Sequence, residues 1–258
     1  MFPALGSEEG WGAAFGRELN ATDDRANFHL KVRLSRTPRA TGDEPARTTR
    51  RNVVSGFSRT VAIDRRTLPV VEGKHLEPFR VALEAVAQTI RVSDARRLLK
   101  SDRFAHARLA YRDVASATNR MTLIAAVLPG GCISTHTVFC LRTPLSRRAQ
   151  DFLCGLFNSF VVNYLVRLRV TTHVRTATVE RLPIPKHDVA PSAFREIAAL
   201  ARLLSRRREP AALAALNARV AELYRLSAQE FAHVLATFPL VPVEERQRAF
   251  KIFTATLR

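Results

Sequence analysis

The chain has 258 residues, 47% of them apolar and 25% charged, with 41 Lys+Arg against 23 Asp+Glu and a formal net charge of +18. That composition excludes collagen, coiled coil and wholesale disorder, and it supports a real core in one large domain or two small ones. The longest uncharged apolar stretch, residues 152–166, is interrupted by Asn158, Ser159 and Asn163 and falls short of the roughly 20 residues a bilayer requires.

The amino terminus lacks the basic region and apolar core of a secretory signal, so a cytoplasmic location is expected, with no membrane partner. Residues 33–66 are rich in Arg, Thr, Pro and Gly and read as loop and strand, with short apolar runs at 53–54 and 60–63. Residues 69–71 lead into Glu72-Gly73-Lys74, where Gly73 permits a turn with positive φ and Lys74 projects from its end. Ser93 is expected to cap a helix over 94–100. Three strand-length runs follow at 108–114, 121–128 and 133–141, the last with Ile133, Thr135, Thr137, Phe139 and Leu141 on one face and Ser134, His136, Val138 and Cys140 on the other. Ser146 then caps a single expected helix to about residue 169, crossed by a polar stripe of Ser159, Asn163 and Arg167. Pro183 and Pro185 halt regular structure. Ser192 opens a further helix to about 207, Pro210 starts another to about 224, Ser227 and Glu230 form a capping box, and a final helix follows Pro242. The fold class is therefore α+β, with an N-terminal segment at 1–70, a sheet-rich part at 71–190 and a helical tail at 191–258.

A large positive excess attracts polyanions, and in a cell these are most often nucleic acids. Arg outnumbers Lys 36 to 5, a bias that GC-rich coding also produces. The charge is spread along the chain, +7 over 1–110, +6 over 111–200 and +5 over 201–258, as a folded basic face requires. Catalytic motifs are missing: there is no P-loop, no HExxH, no GxSxG and no Asn/Asp-Pro-Pro-aromatic loop, so no catalytic residue is assigned. Cys132, Cys140 and Cys154 show neither CxxC spacing nor clustered His, and read as buried free thiols, not a disulfide framework or a metal site. His136, between two threonines, either offers hydrogen bonds to a base edge or satisfies the sheet. Arg167, Arg169, His173 and Arg175, interleaved with threonines, suit phosphate or base contacts, or else form a solvated helix end.

The strings at 108–119, 122–129, 134–137 and 158–159, closed by Glu180-Arg-Leu-Pro-Ile-Pro185, resemble the TaqI-like C-terminal specificity domain. This is the target-recognition domain of many adenine-specific DNA methyltransferases and restriction-modification enzymes, similar to those of type I specificity subunits. The flanking segments 18–25, 72–75, 216–227 and 235–240 look like the family's preceding segment and helical tail. One departure is Arg225, which stands where the pattern has Gly. The resemblance implies sequence-specific recognition of double-stranded DNA on behalf of an adenine (N6) methyltransferase. In such enzymes S-adenosylmethionine binds a separate catalytic domain or subunit, and no cofactor is expected on these residues. It also implies a fragment or a specificity subunit that works with a catalytic partner. The alternative is a stand-alone basic DNA-binding or scaffold protein unconnected with methylation.

On residue type and spacing, a basic cleft is expected between the sheet and the helical tail. Phosphate contacts fall to Lys74, Arg112, Arg167 and Arg175, with Arg169 and His173 in the same cluster, and base-edge contacts to Asn119, Arg120, His136 and Thr137.

Overall fold

The computed structural model describes residues 2–30, 66–115, 119–170 and 172–257. The expected apolar runs at 53–54 and 60–63 lie outside the described residues. In chain order the elements are β1 (Phe15–Gly16), β2 (Phe28–Leu30), β3 (Thr67–Val71), β4 (Leu76–Glu77), β5 (Arg80–Val81), β6 (Gln88–Arg91), α1 (Val92–Leu99), β7 (Arg108–Arg112), β8 (Ala125–Leu128), β9 (Ile133–Ser134), β10 (Val138–Leu141), α2 (Arg147–Phe157), α3 (Phe160–Arg167), α4 (Thr176–Glu180), α5 (Pro191–Leu204), α6 (Pro210–Leu223), α7 (Ala228–Ala236) and α8 (Val243–Thr256).

The α+β class expected from the sequence is what is found. One antiparallel sheet has the order β1-β10-β7-β8, a second has the order β2-β6-β3-β9 with β3 and β9 parallel, and β4 pairs with β5. The first sheet is covered on both sides, because strand alternation sends successive residues to opposite faces. Leu109, Tyr111, Phe139 and Leu141 pack into the helical core, whereas Ala110, Val138 and Cys140 meet Val71, Leu76 and Val86. The larger core runs from Leu5 to Phe253, so the sheet and the C-terminal helices share it. The segment around Pro183 is pinned by the amino terminus: Leu5 N–H donates to the Leu182 carbonyl at 2.9 Å and Ile184 N–H to the Pro3 carbonyl at 3.1 Å.

Several local expectations are corrected. The single strand expected at 133–141 is two strands in different sheets, since Thr135 N–H turns to the Val71 carbonyl (3.0 Å) while Val138 pairs with Arg112. The alternation expected at 138–141 holds. The helix expected over 146–169 is α2 and α3, separated at Asn158 and Ser159. Ser159 Oγ donates to the Leu156 carbonyl (2.7 Å) and caps the Val162 N–H (3.3 Å), while Asn158 reaches across to both backbone groups of Ala125. Asn163, in the same polar stripe, accepts the Thr122 and Leu123 N–H groups at 2.9 and 2.7 Å, which keeps those residues out of β8. Gly73 lies in a 3-10 turn and not at positive φ. Its missing side chain matters because a Cβ there would come within 3.1 Å of the Thr137 carbonyl oxygen. Ser93 lies inside α1, whose N-cap is Arg91, and α5 opens on Pro191, one residue before Ser192. Pro210 at the start of α6 and the Ser227–Glu230 capping box stand as read.

Candidate nucleic-acid interface

The carboxyl end of β7 and the amino end of β10 lie side by side, with Arg112 opposite Val138. Just past β7, Asp113 is locked in place: its N–H donates to the Thr137 carbonyl (3.0 Å) and its carbonyl accepts Val174 N–H (2.8 Å). Its carboxylate, 6% exposed, receives Arg17 Nη2 at 2.9 Å and faces His173 Nδ1 at 3.3 Å. The Arg17 guanidinium lies 4.9 Å over the Phe139 ring, and the Arg17 carbonyl accepts Arg142 Nη2 at 2.6 Å. Thr137 Oγ1 accepts Gly73 N–H at 2.9 Å and exchanges a hydrogen bond with Thr135 Oγ1 at 3.0 Å. Beside Gly73, the exposed Lys74 pairs with Glu72 at 2.6 Å. His136 is half-buried, its Nδ1 accepting the Ala21 N–H at 3.1 Å, so the neutral ring carries its proton on Nε2.

Six of the ten residues singled out from the sequence therefore gather at this strand end: Lys74, Arg112, His136, Thr137, His173 and Arg175. Arg175 is exposed at the N-cap of α4, next to the Val174 held by Asp113. Arg17 and Arg142 belong here too and were missed by sequence reasoning, because β1 is two residues long and its register (Phe15 opposite Leu141) leaves no pattern in the chain. Five cations, Arg17, Lys74, Arg112, Arg142 and Arg175, lie around this strand end, where Asp113 pairs with Arg17 and Glu72 with Lys74.

The other four residues lie elsewhere. Arg167 is a strut and not a free phosphate ligand. Nε donates to Thr122 Oγ1 (3.1 Å), Nη1 to the Thr237 carbonyl (2.5 Å), and Nη2 to the carbonyls of Asn119 and Arg120, with Phe238 4.0 Å beneath the guanidinium. Burial lowers its pKa from the ordinary arginine value. Asn119 is exposed and lends Arg167 its carbonyl. Arg120 pairs with Glu245 of α8 at 2.5 Å. Arg169 is exposed and bonds the Leu165 carbonyl of the preceding helix, α3, at 2.7 Å.

A groove of about 570 Å³ does separate the sheet from the helical tail, floored by residues such as Phe79, Ile124 and Phe160. It is not basic. Arg80, Arg120, Arg208 and Arg248 on its rim are matched by Glu77, Glu209, Glu244 and Glu245, with Glu77–Arg208 (3.0 Å) and Arg120–Glu245 paired directly.

The three cysteines are not poised as nucleophiles. Burial pushes the thiol of Cys132 up to about 11 and those of Cys140 and Cys154 up to about 12, far from the thiolate form. Among the described residues no group of three or more His, Cys, Asp or Glu is placed to hold a metal ion, and no helix is long and apolar enough to cross a membrane.

No protein-family profile matches this sequence, and no curated protein matches it. Among solved structures, the chain is similar to a Type IIL restriction-modification enzyme, MmeI, in complex with DNA, at 10% identity and a TM-score of 0.42, over 74% of this chain and 31% of that one. The chain thus spans about a third of that enzyme's length.

Proposed function

We propose that this chain is a sequence-specific DNA-recognition module of a restriction-modification system, serving an adenine (N6) methyltransferase whose S-adenosylmethionine site lies on another domain or subunit. The observation that carries the reading is the strand end that collects Arg17, Lys74, Arg112, Arg142 and Arg175, with Arg17 held by the buried Asp113 carboxylate. Fixed positive charge on rigid strand ends neutralises phosphates and sets the register of a duplex. Exposed Lys74 and Arg175 suit that role. His136, its Nε2–H free of partners among the described residues, offers a donor to a base edge. The overall charge of +18 favours the same partner. The sequence resemblance supplies the link to adenine methylation.

The test is binding to a pool of random duplexes across a salt series, with sequencing of what survives at high salt. Enrichment of one short motif, and adenine methylation of that motif when a methyltransferase partner is supplied, is the expected result. Binding that fades with salt and enriches nothing would leave a basic protein without base readout, and would overturn the proposal.

A further inference from the structure

Resting on that reading, we propose that Arg17 is a specificity-determining residue whose guanidinium binds the O6/N7 edge of a guanine in the major groove. A free arginine side chain samples many rotamers, and fixing it on binding works against affinity. In this fold Arg17 is fixed beforehand from three directions. The buried Asp113 carboxylate holds Nη2 at 2.9 Å, the Phe139 ring lies 4.9 Å below the guanidinium plane, and Arg142 grips the Arg17 carbonyl at 2.6 Å. The next residue, Glu18, anchors the backbone through its buried pair with Arg108. Held in this way, the side chain is still 50% exposed.

The donor arithmetic leaves room for a base. A guanidinium has five N–H groups, and one is spent on Asp113. Guanine asks for two parallel donors from one planar fork, which a lysine ammonium cannot present. The neighbouring cations at the strand end differ in one respect or the other. Arg175 and Lys74 are exposed, but no buried carboxylate and ring fix them, as suits phosphates, whose contacts carry no sequence information. Arg167 shows the opposite case, fixed on a ring but with its donors taken by the fold.

The experiment repeats the duplex selection with the whole chain carrying Arg17→Lys or Arg17→Met. Melting curves serve as the folding control, since Arg17→Met leaves the buried Asp113 carboxylate only His173 whereas Arg17→Lys keeps a cation beside it. Support is a wild-type motif with one G·C position whose preference, roughly 5- to 150-fold, is lost in both variants while the other positions keep theirs. A motif unchanged by Arg17→Lys, or uniformly weaker binding of every sequence by Arg17→Met, overturns the assignment and makes Arg17 a phosphate contact, leaving DNA recognition standing. A wild-type chain that enriches no motif overturns this inference and the broader reading together.

Discussion

Glu18→Ala should be among the most damaging single changes in this protein outside its apolar core. Glu18 and Arg108 are 9% and 6% exposed and joined by two parallel bonds, Nε–Oε1 at 2.6 Å and Nη2–Oε2 at 2.7 Å. Oε2 also accepts the N–H and hydroxyl of Ser134 at 2.7 and 2.9 Å. Removing the carboxylate orphans the Ser134 N–H and leaves a buried guanidinium with only the carbonyls of Cys132 (3.0 Å) and His106 (3.3 Å). Breaking one side of such a pair costs about 3–5 kcal/mol, because an uncompensated charge stays buried. For a chain of this size that lowers Tm by about 6–20 °C. Urea and thermal denaturation of wild type, Glu18→Ala and the double variant Glu18→Leu/Arg108→Met measure the effect. The double variant should be less destabilised than the single one, since the desolvation penalty leaves with both charges. A Glu18→Ala protein that melts within 2 °C of wild type would refute the reasoning.

Arg225 follows α6 at φ 55°, with Leu226 N–H on the Ala221 carbonyl (3.1 Å) and Arg225 N–H on the Glu222 carbonyl (2.8 Å), a helix stop that favours glycine. Arg225→Gly should therefore raise stability by about 1 kcal/mol, read as a higher urea midpoint at unchanged slope. His75 is buried, and burial holds its pKa below the ordinary 6.5 while Nδ1 accepts the Glu72 N–H. The unfolded chain thus takes up this proton first, so stability present above pH 6.5 is lost as pH falls from 6.5 toward the folded value. His75→Gln should show a smaller drop in urea midpoint between pH 7.5 and 5.5 than wild type, and equal drops would count against the assignment. Arg167 and Arg175 should separate structure from binding. Arg175→Ala reduces the salt slope of duplex binding by about 0.9 with Tm unchanged, while Arg167→Ala lowers Tm through the lost bonds to Thr122, Thr237 and the 119–120 carbonyls. The reverse pattern would refute both roles.

What was legible in the sequence was what short-range chemistry decides. The Ser227–Glu230 box and Pro210 at the start of α6 involve residues within one helical turn, so spacing alone exposes them. The break between α2 and α3 was hidden because Asn158 and Asn163 bond to the backbone at Ala125, Thr122 and Leu123, more than thirty residues away in the chain. The switch of residues 133–141 between sheets was hidden for a similar reason: a run of β-branched residues satisfies either sheet, and only pairing with Val71 and Arg112 decides where it divides. The sequence resemblance has a glycine where Arg225 stands, and that departure was readable in advance. The position does adopt the left-handed conformation that a glycine there accommodates without strain.

Net charge says that polyanions are attracted but not where. The groove at the expected position carries four arginines and four glutamates, so a duplex lying there would meet no net field, and two of those arginines are already paired across it at 2.5 and 3.0 Å. At the end of β7 the Asp113 carboxylate is buried beneath Arg17 and His173, where it orients them and is itself shielded from an approaching phosphate. A carboxylate in that position does two things at once. It offsets the charge of Arg17 at a distance, and it converts a mobile arginine into a fixed fork. Discrimination between base pairs depends on the second effect, because a mobile cation follows phosphates on any sequence, whereas a fork held in one plane accepts only an edge with two acceptors at the matching spacing.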